Sequence, residues 1–263
     1  MEDTTLVTAL YNIQRETEGD GRKWQDYLEW FRETLQLPFH MIIYISIKDD
    51  LIEMINTFRP KHCSTKVIFQ ELNEIPYAFY EPRFKEIMEA PGYLQKIRHP
   101  DRVECRLPFY NILQYSKFQW LKQAAQENPF KSSYIFWADA GCSRFIPRQL
   151  YTSIRRTLDL PKDRLIIQHN YLLFQYPVTE EYLWDSQCLM CGTMFGGGLE
   201  AVTDVATCIE RELAERTKQG WINNEQILLA YLFRVSAGDG FHLVYNNTPH
   251  HLCIFEKLFV NSL

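Results

Sequence analysis

The chain has 263 residues, enough to bury a core without disulfides or structural metals, and its 46% hydrophobic and 23% charged residues are those of a globular protein. A net charge of −5 argues against a dedicated nucleic-acid binder and gives no support to a broad basic membrane patch, but leaves room for a local basic cleft. Seven irregularly spaced cysteines, an odd number, fit reduced thiols in a cytosol. Cys188 and Cys191 form a lone C-x-x-C without a second ligand pair for zinc, so a redox role is its alternative to plain packing.

The acidic start, Met1-Glu2-Asp3-Thr4-Thr5, does not resemble a signal peptide. The longest nearly apolar run, Pro38 to Ile47, falls well short of a membrane span. The expectation is a cytoplasmic protein without a transmembrane segment, peripheral contact with the inner face of the membrane being left open. Residues 1–263 read as one domain, with no linker, repeat or low-complexity stretch.

In chain order, Leu6 to Tyr11 reads as a strand. Residues 22–37 read as a helix, because Trp24, Tyr27, Leu28, Phe31 and Leu35 recur at helical spacing and Pro38 stops the pattern. Phe39 to Ile47 is a second strand, Lys48 to Phe58 a short helix with acidic residues at its start, and Lys66 to Gln70 a third strand. Five prolines in 74–108 predict short helices and loops. A helix over 110–127 follows, then a buried strand, Tyr134 to Ala138, and another from Arg164 to Phe174. Thr193 and Phe195 lead into Gly196-Gly197-Gly198, read as a turn before a helix from Leu199 to Gln219 that Gly220 ends. Asn224 to Val235 is helical, and Phe241 to Tyr245 and Cys253 to Phe255 read as late strands. Strands alternating with helices predict an α/β fold with a mainly parallel sheet flanked by helices, in which ligands sit beyond the carboxyl ends of the strands.

Four features can carry chemistry. Asp139 follows a fully apolar strand and is either a turn cap or a ligand at the sheet edge. The glycine run is either a turn or a cradle for an anionic group. In Trp221-Ile222-Asn223-Asn224-Glu225-Gln226 an asparagine caps a helix, while Glu225 is either a first-turn carboxylate or a general base. His250 and His251 are either surface or ligands. Arg15 and Lys117, solvated by default, would serve a diphosphate if they lay at the same edge.

These features occur in a recognisable order: Thr8-Ala9-Leu10-Tyr11 and Arg15, then Ile135-Phe136-Trp137-Ala138-Asp139-Ala140-Gly141, then Gly192 to Gly198, then Asn223-Asn224-Glu225-Gln226. The sequence resembles, over roughly residues 5–255, the HtrL/YibB (WlaTC/HtrL) family, whose members are regarded as bacterial glycosyltransferases, and more broadly the nucleotide-sugar glycosyltransferases of the GT-A (Rossmann-like) fold. The resemblance implies a nucleotide-binding part at about 1–141 and an acceptor-side part at about 142–263. It implies transfer of a sugar from a nucleotide-sugar donor, UDP-linked above others, to a glycan or lipid-linked glycan hydroxyl.

The donor site would draw on Thr8, Ala9, Tyr11, Arg15, Lys117, Trp137, Ala138, Asp139, Gly141, Gly196, Gly197 and Asn224. Glu225 would be the base of an inverting enzyme, or would only orient substrate in a retaining one. GT-A enzymes hold Mn²⁺ or Mg²⁺ with an Asp-x-Asp pair, which puts Asp139 in the first position with His250 or His251 as co-ligand. The second position is Gly141, a departure that sets metal dependence against neutralisation of the phosphates by Arg15 and Lys117. A catalytically degenerate scaffold and a nucleotidyltransferase remain the alternatives; the latter lacks its usual glycine-rich, lysine-bearing loop after the first strand.

Overall fold

The computed structural model describes residues 4–47, 51–152, 160–245 and 254–259. The chain opens with strand β1 (Thr4–Leu10), a single turn α1 (Arg15–Glu18) and helix α2 (Trp24–Thr34). Strand β2 (His40–Ile45), helix α3 (Ile52–Phe58) and strand β3 (Thr65–Phe69) complete a first strand-helix alternation. The expected start of α3 at Lys48 lies outside the described residues. The proline-rich stretch forms short 3-10 turns with α4 (Glu81–Glu89) and α5 (Pro91–Lys96), where a proline near each helix start removes only a donor that would lie unbonded.

Helix α6 (Pro108–Glu127) runs to Asn128, whose left-handed φ of 34° ends it and whose side chain bonds Ser132 on the way into β4 (Tyr134–Ala138). Strands β5 (Leu165–His169) and β6 (Met190–Gly198) follow, then helices α7 (Leu199–Lys218) and α8 (Glu225–Val235), strand β7 (Phe241–Tyr245) and the short helix α9 (Phe255–Phe259).

Among the described residues the strands form one sheet in the order β3-β2-β1-β4-β6-β5-β7. All run parallel except β6, which is antiparallel to both β4 and β5. The two-residue period of a strand sends alternate side chains to two cores. Ile135 and Trp137 of β4 join Ile42 and Tyr44 of β2 under α6, α7 and α8. Tyr134 and Phe136 join Met41 and Ile43 on the opposite face, against Phe31 of α2 and Phe255 and Phe259 of α9. The mainly parallel α/β sheet is the expected fold class.

Three expectations need correction. The glycine run is not a turn: Gly196, Gly197 and Gly198 pair with Phe136, Ile135 and Tyr134 as the end of β6. Close packing demands glycine there, since a Cβ at Gly196 would sit 2.2 Å from the Ile135 carbonyl oxygen. Residues with no side chains carry no alternation, so this strand is invisible to periodicity. The strand expected over Arg164 to Phe174 stops at His169, and Tyr171–Phe174 coil into a 3-10 turn begun by the Asn170 side chain, which accepts from Leu172 N. The last expected strand is helical from Phe255, because Phe255 and Phe259, one turn apart, both reach Phe39. Among the described residues no helix is long and apolar enough to cross a membrane, and the described cysteines form no disulfide.

Candidate functional site

A cleft of about 520 Å³ opens where β1 and β4 end and β6 begins, walled by α2, α6 and the start of α8. This is the carboxyl edge at which open α/β sheets bind ligands. Tyr11, Trp120 and Trp137 form a stacked column beneath it, with centroids 6.0 and 5.8 Å apart. At its top Trp137 Nε1 donates to Asp139 Oδ1 at 2.7 Å.

Backbone bonds pin Asp139 from both sides: its N–H donates to Thr193 O, and its carbonyl accepts from Cys142 N. Its carboxylate caps no helix. Oδ1 receives Trp137 and also lies 3.0 Å from Lys117 Nζ, while Oδ2 has no hydrogen bond among the described residues and the side chain is one-third exposed to the cleft.

Lys117 is not the solvated lysine expected by default. It projects from the middle of α6 into the protein, and its side chain is 3% exposed. The ammonium donates to Glu225 Oε1 at 3.0 Å and Gly192 O at 3.1 Å, which with Asp139 accounts for its three protons. Burial disfavours its charge, but Asp139 and Glu225 outweigh burial and hold its pKa above the usual lysine value. With every donor engaged, Lys117 organises the carboxylates and has no proton to spare for a phosphate.

Glu225 is the first residue of α8, whose cap is Asn224: its side chain accepts from Gln226 N and Ile227 N. Asn224 in turn donates to the buried Glu104, which Arg102 pairs at 2.7 Å. Glu225 is 1% exposed, and its Oε2 is buried without a hydrogen-bond partner. Burial, with Asp139 adding repulsion and Lys117 opposing, raises its carboxyl pKa. Gly192 leaves no space beside it, since a Cβ there would fall 2.0 Å from Glu225 Oε1.

The opposite wall is cationic. Arg15 gives Nε and Nη2 to Asp20 and Nη1 to Tyr27 Oη, so it is engaged by its own loop and by α2. The Arg144 guanidinium makes no hydrogen bond or ion pair among the described residues; it lies 4.7 Å over the Trp30 ring and 4.5 Å over Phe145. Burial and the nearby Arg22 charge, with Arg15 contributing, lower its pKa.

Of the expected site residues, Ala9, Tyr11, Arg15, Lys117, Trp137, Asp139, Gly141 and Glu225 line the cleft. Thr8 and Ala138 are fully buried in their strands, and Gly196 and Gly197 lie in the sheet, away from the cleft. Asn224 acts behind the wall as the cap. His250 and His251 lie outside the described residues. Sequence reasoning missed Arg144, Arg22, Trp30 and Gly192. Tyr27 and Trp30, three apart on α2, carried a usable signal, whereas Gly192, though part of the Gly192 to Gly198 segment, carried none of its closeness to Glu225.

A divalent cation fits the described residues poorly. Gly141, the position of the second carboxylate, has Trp30 Cε3 3.1 Å from where a Cβ would stand, so the indole fills the space. Asp139 and Glu225, carboxylates that line the cleft, already share the Lys117 ammonium. No group of three or more His, Cys, Asp or Glu suited to a metal occurs among the described residues.

The family described as "Bacterial protein of unknown function (HtrL_YibB)" matches residues 2–255. No curated protein matches the sequence. In structure the chain is similar to mouse xyloside xylosyltransferase 1, at 10% identity and a TM-score of 0.41, over 92% of this chain and 84% of that one. It is also similar to 4-diphosphocytidyl-2C-methyl-D-erythritol synthase from Anaerococcus prevotii, at 10% identity and a TM-score of 0.41, over 93% and 89%.

Proposed function

The chain belongs to the HtrL_YibB family, and from that premise and the chemistry of the cleft we propose that it is a transferase moving a sugar from a nucleotide-sugar donor, UDP-linked before others, to a hydroxyl of a glycan or lipid-linked glycan. The observation that carries this reading is Asp139 itself: at the carboxyl edge of β4, one oxygen is fixed by Trp137 and Lys117 and the other is left to the cleft. Such a carboxylate is pre-positioned to accept from donor hydroxyls, and the arginine wall beside it suits the phosphates.

Glu225 is the base in this reading. Its buried Oε2 lacks a partner, a deficit that an acceptor hydroxyl satisfies. The acceptor proton passes to Glu225 as the acceptor oxygen bonds to the anomeric carbon. The bond from that carbon to the leaving phosphate oxygen breaks, and its electron pair remains on the phosphate, next to the cationic wall. Lys117 keeps Glu225 and Asp139 in register through its bonds to both.

Calorimetric titration with UDP-, GDP-, CMP- and dTDP-sugars, with and without Mn²⁺, tests the proposal. Binding of one of them, weakened about tenfold or more in Asp139→Asn by loss of a charged hydrogen bond, is expected. If none binds, the reading fails; binding indifferent to the substitution removes Asp139 from it.

A further inference from the structure

We infer that the phosphate end of this cleft is an arginine cradle centred on Arg144, standing where a second carboxylate and its divalent cation would otherwise be, so that the anionic half of a donor is held without metal. The inference rests on the donor reading above and adds to it how the phosphates are bound.

Three observations meet at one indole. Trp30 fills the space next to Gly141, with Cε3 3.1 Å from the position of a Cβ, so no acidic side chain fits there without moving the ring. The same ring seats the Arg144 guanidinium at 4.7 Å. Arg22 flanks it, 6.0 Å from the ring, 4.0 Å from the Asp20 carboxylate and donating to Tyr27 Oη at 3.5 Å. The position that would recruit a cation has become the platform for a built-in one.

The other cations nearby are spoken for. Arg15 is bound to Asp20 and Tyr27, and Lys117 to Asp139, Glu225 and Gly192. The Arg144 guanidinium alone among these lacks a hydrogen-bonded or ion-paired partner among the described residues, while burial first, then like charge from Arg22 and Arg15, disfavour its ionised form against the opposing charge of Asp139. A guanidinium held on an aromatic face with its donors unused is suited to bidentate capture of a phosphate, and a diphosphate would relieve the crowding of positive charge.

The test is binding rather than turnover. Inorganic pyrophosphate and UDP are titrated calorimetrically into the full chain in EDTA and again in Mn²⁺, using wild type, Arg144→Ala and Arg144→Lys, with circular dichroism to verify folding. Binding in EDTA is expected, changed less than about threefold by Mn²⁺, weakened at least about tenfold in Arg144→Ala and partly restored by lysine. Binding that requires Mn²⁺, or that Arg144→Ala leaves intact, overturns the inference. A nucleotide sugar bound only with Mn²⁺ would keep the proposed function and sink the cradle; pyrophosphate bound in EDTA with no nucleotide sugar bound would do the reverse. Should Arg144→Ala misfold, Arg144→Lys and Arg22→Ala carry the comparison, and unchanged binding in both overturns it.

Discussion

Lys117 Nζ stands 3.0 Å from Asp139 Oδ1 and 3.0 Å from Glu225 Oε1, so one ammonium from the middle of α6 joins the end of β4 to the start of α8. Glu225 and Lys117 are almost wholly buried, and Asp139 is the most exposed of the three residues, all of which line the cleft. Removing the ammonium therefore leaves a buried carboxyl without its counter-charge. Lys117→Met is expected to lower stability by about 3–5 kcal/mol, measured by urea unfolding. The double variant Lys117→Met/Glu225→Gln should recover a large part of that loss. A single variant as stable as wild type would mean that the pair contributes nothing net.

The raised Glu225 pKa gives a stability signature with a definite sign. The folded state binds this proton more tightly than the unfolded chain, whose Glu titrates near the ordinary value of 4.5. Its favourable contribution is complete below that value and is lost as pH rises through the higher folded pKa. The stability of wild type minus that of Glu225→Gln should thus decline as pH rises above about 4.5 and then level off. A flat difference across a pH series of urea melts would contradict the raised affinity. In turnover, the rising limb of kcat/KM should lie above the range of an ordinary glutamate, because the base works only when ionised.

Gly192→Ala probes the same group from behind. The added methyl would stand 2.0 Å from Glu225 Oε1, so Glu225 must leave Lys117 or β6 must shift. Transfer is expected to fall at least about a hundredfold, the cost of misplacing a reacting group by roughly an ångström, while nucleotide-sugar affinity changes much less. Equal losses in both would place Gly192 in donor binding instead.

Away from the cleft, the buried Arg59 donates to the carbonyls of Leu35, Leu37 and Phe39 and to Thr65 Oγ1, tying the turn between α2 and β2 to β3. Burial lowers its pKa to about 10, which leaves it charged at neutral pH. Arg59→Met strands three carbonyls and should cost about 3 kcal/mol or more in thermal or urea unfolding. Arg59→Lys should recover little of it, since one ammonium cannot reproduce the guanidinium fork. Full stability in Arg59→Lys would show that the charge alone matters.

What the sequence determined by itself is the part written in local pattern. The apolar run Tyr134 to Ala138 dictates a buried strand, and the spacing of Val202, Val205, Ile209 and Leu213 dictates α7, because side-chain periods of 2 and 3.6 are set by neighbours in the chain. Asn224 was legible as a cap for the same reason, and Asp139 was legible as a strand-end carboxylate at the binding edge.

Tertiary structure decided everything that depends on which backbone meets which. β6 escaped notice because three glycines carry no pattern, and their necessity lies in the carbonyls of Ile135, Arg164 and Lys162 packed against them. Lys117 shares a helix with many apolar residues, and only the arrival of Asp139 and Glu225 from remote positions in the chain turns it from a surface cation into a buried link. Gly141 read as a missing carboxylate until α2 laid Trp30 beside it and Arg144 over Trp30. A sequence can name the residues that ionise, but the charge each one faces is fixed by contacts between segments far apart in the chain, and long-range contacts leave no local pattern to read.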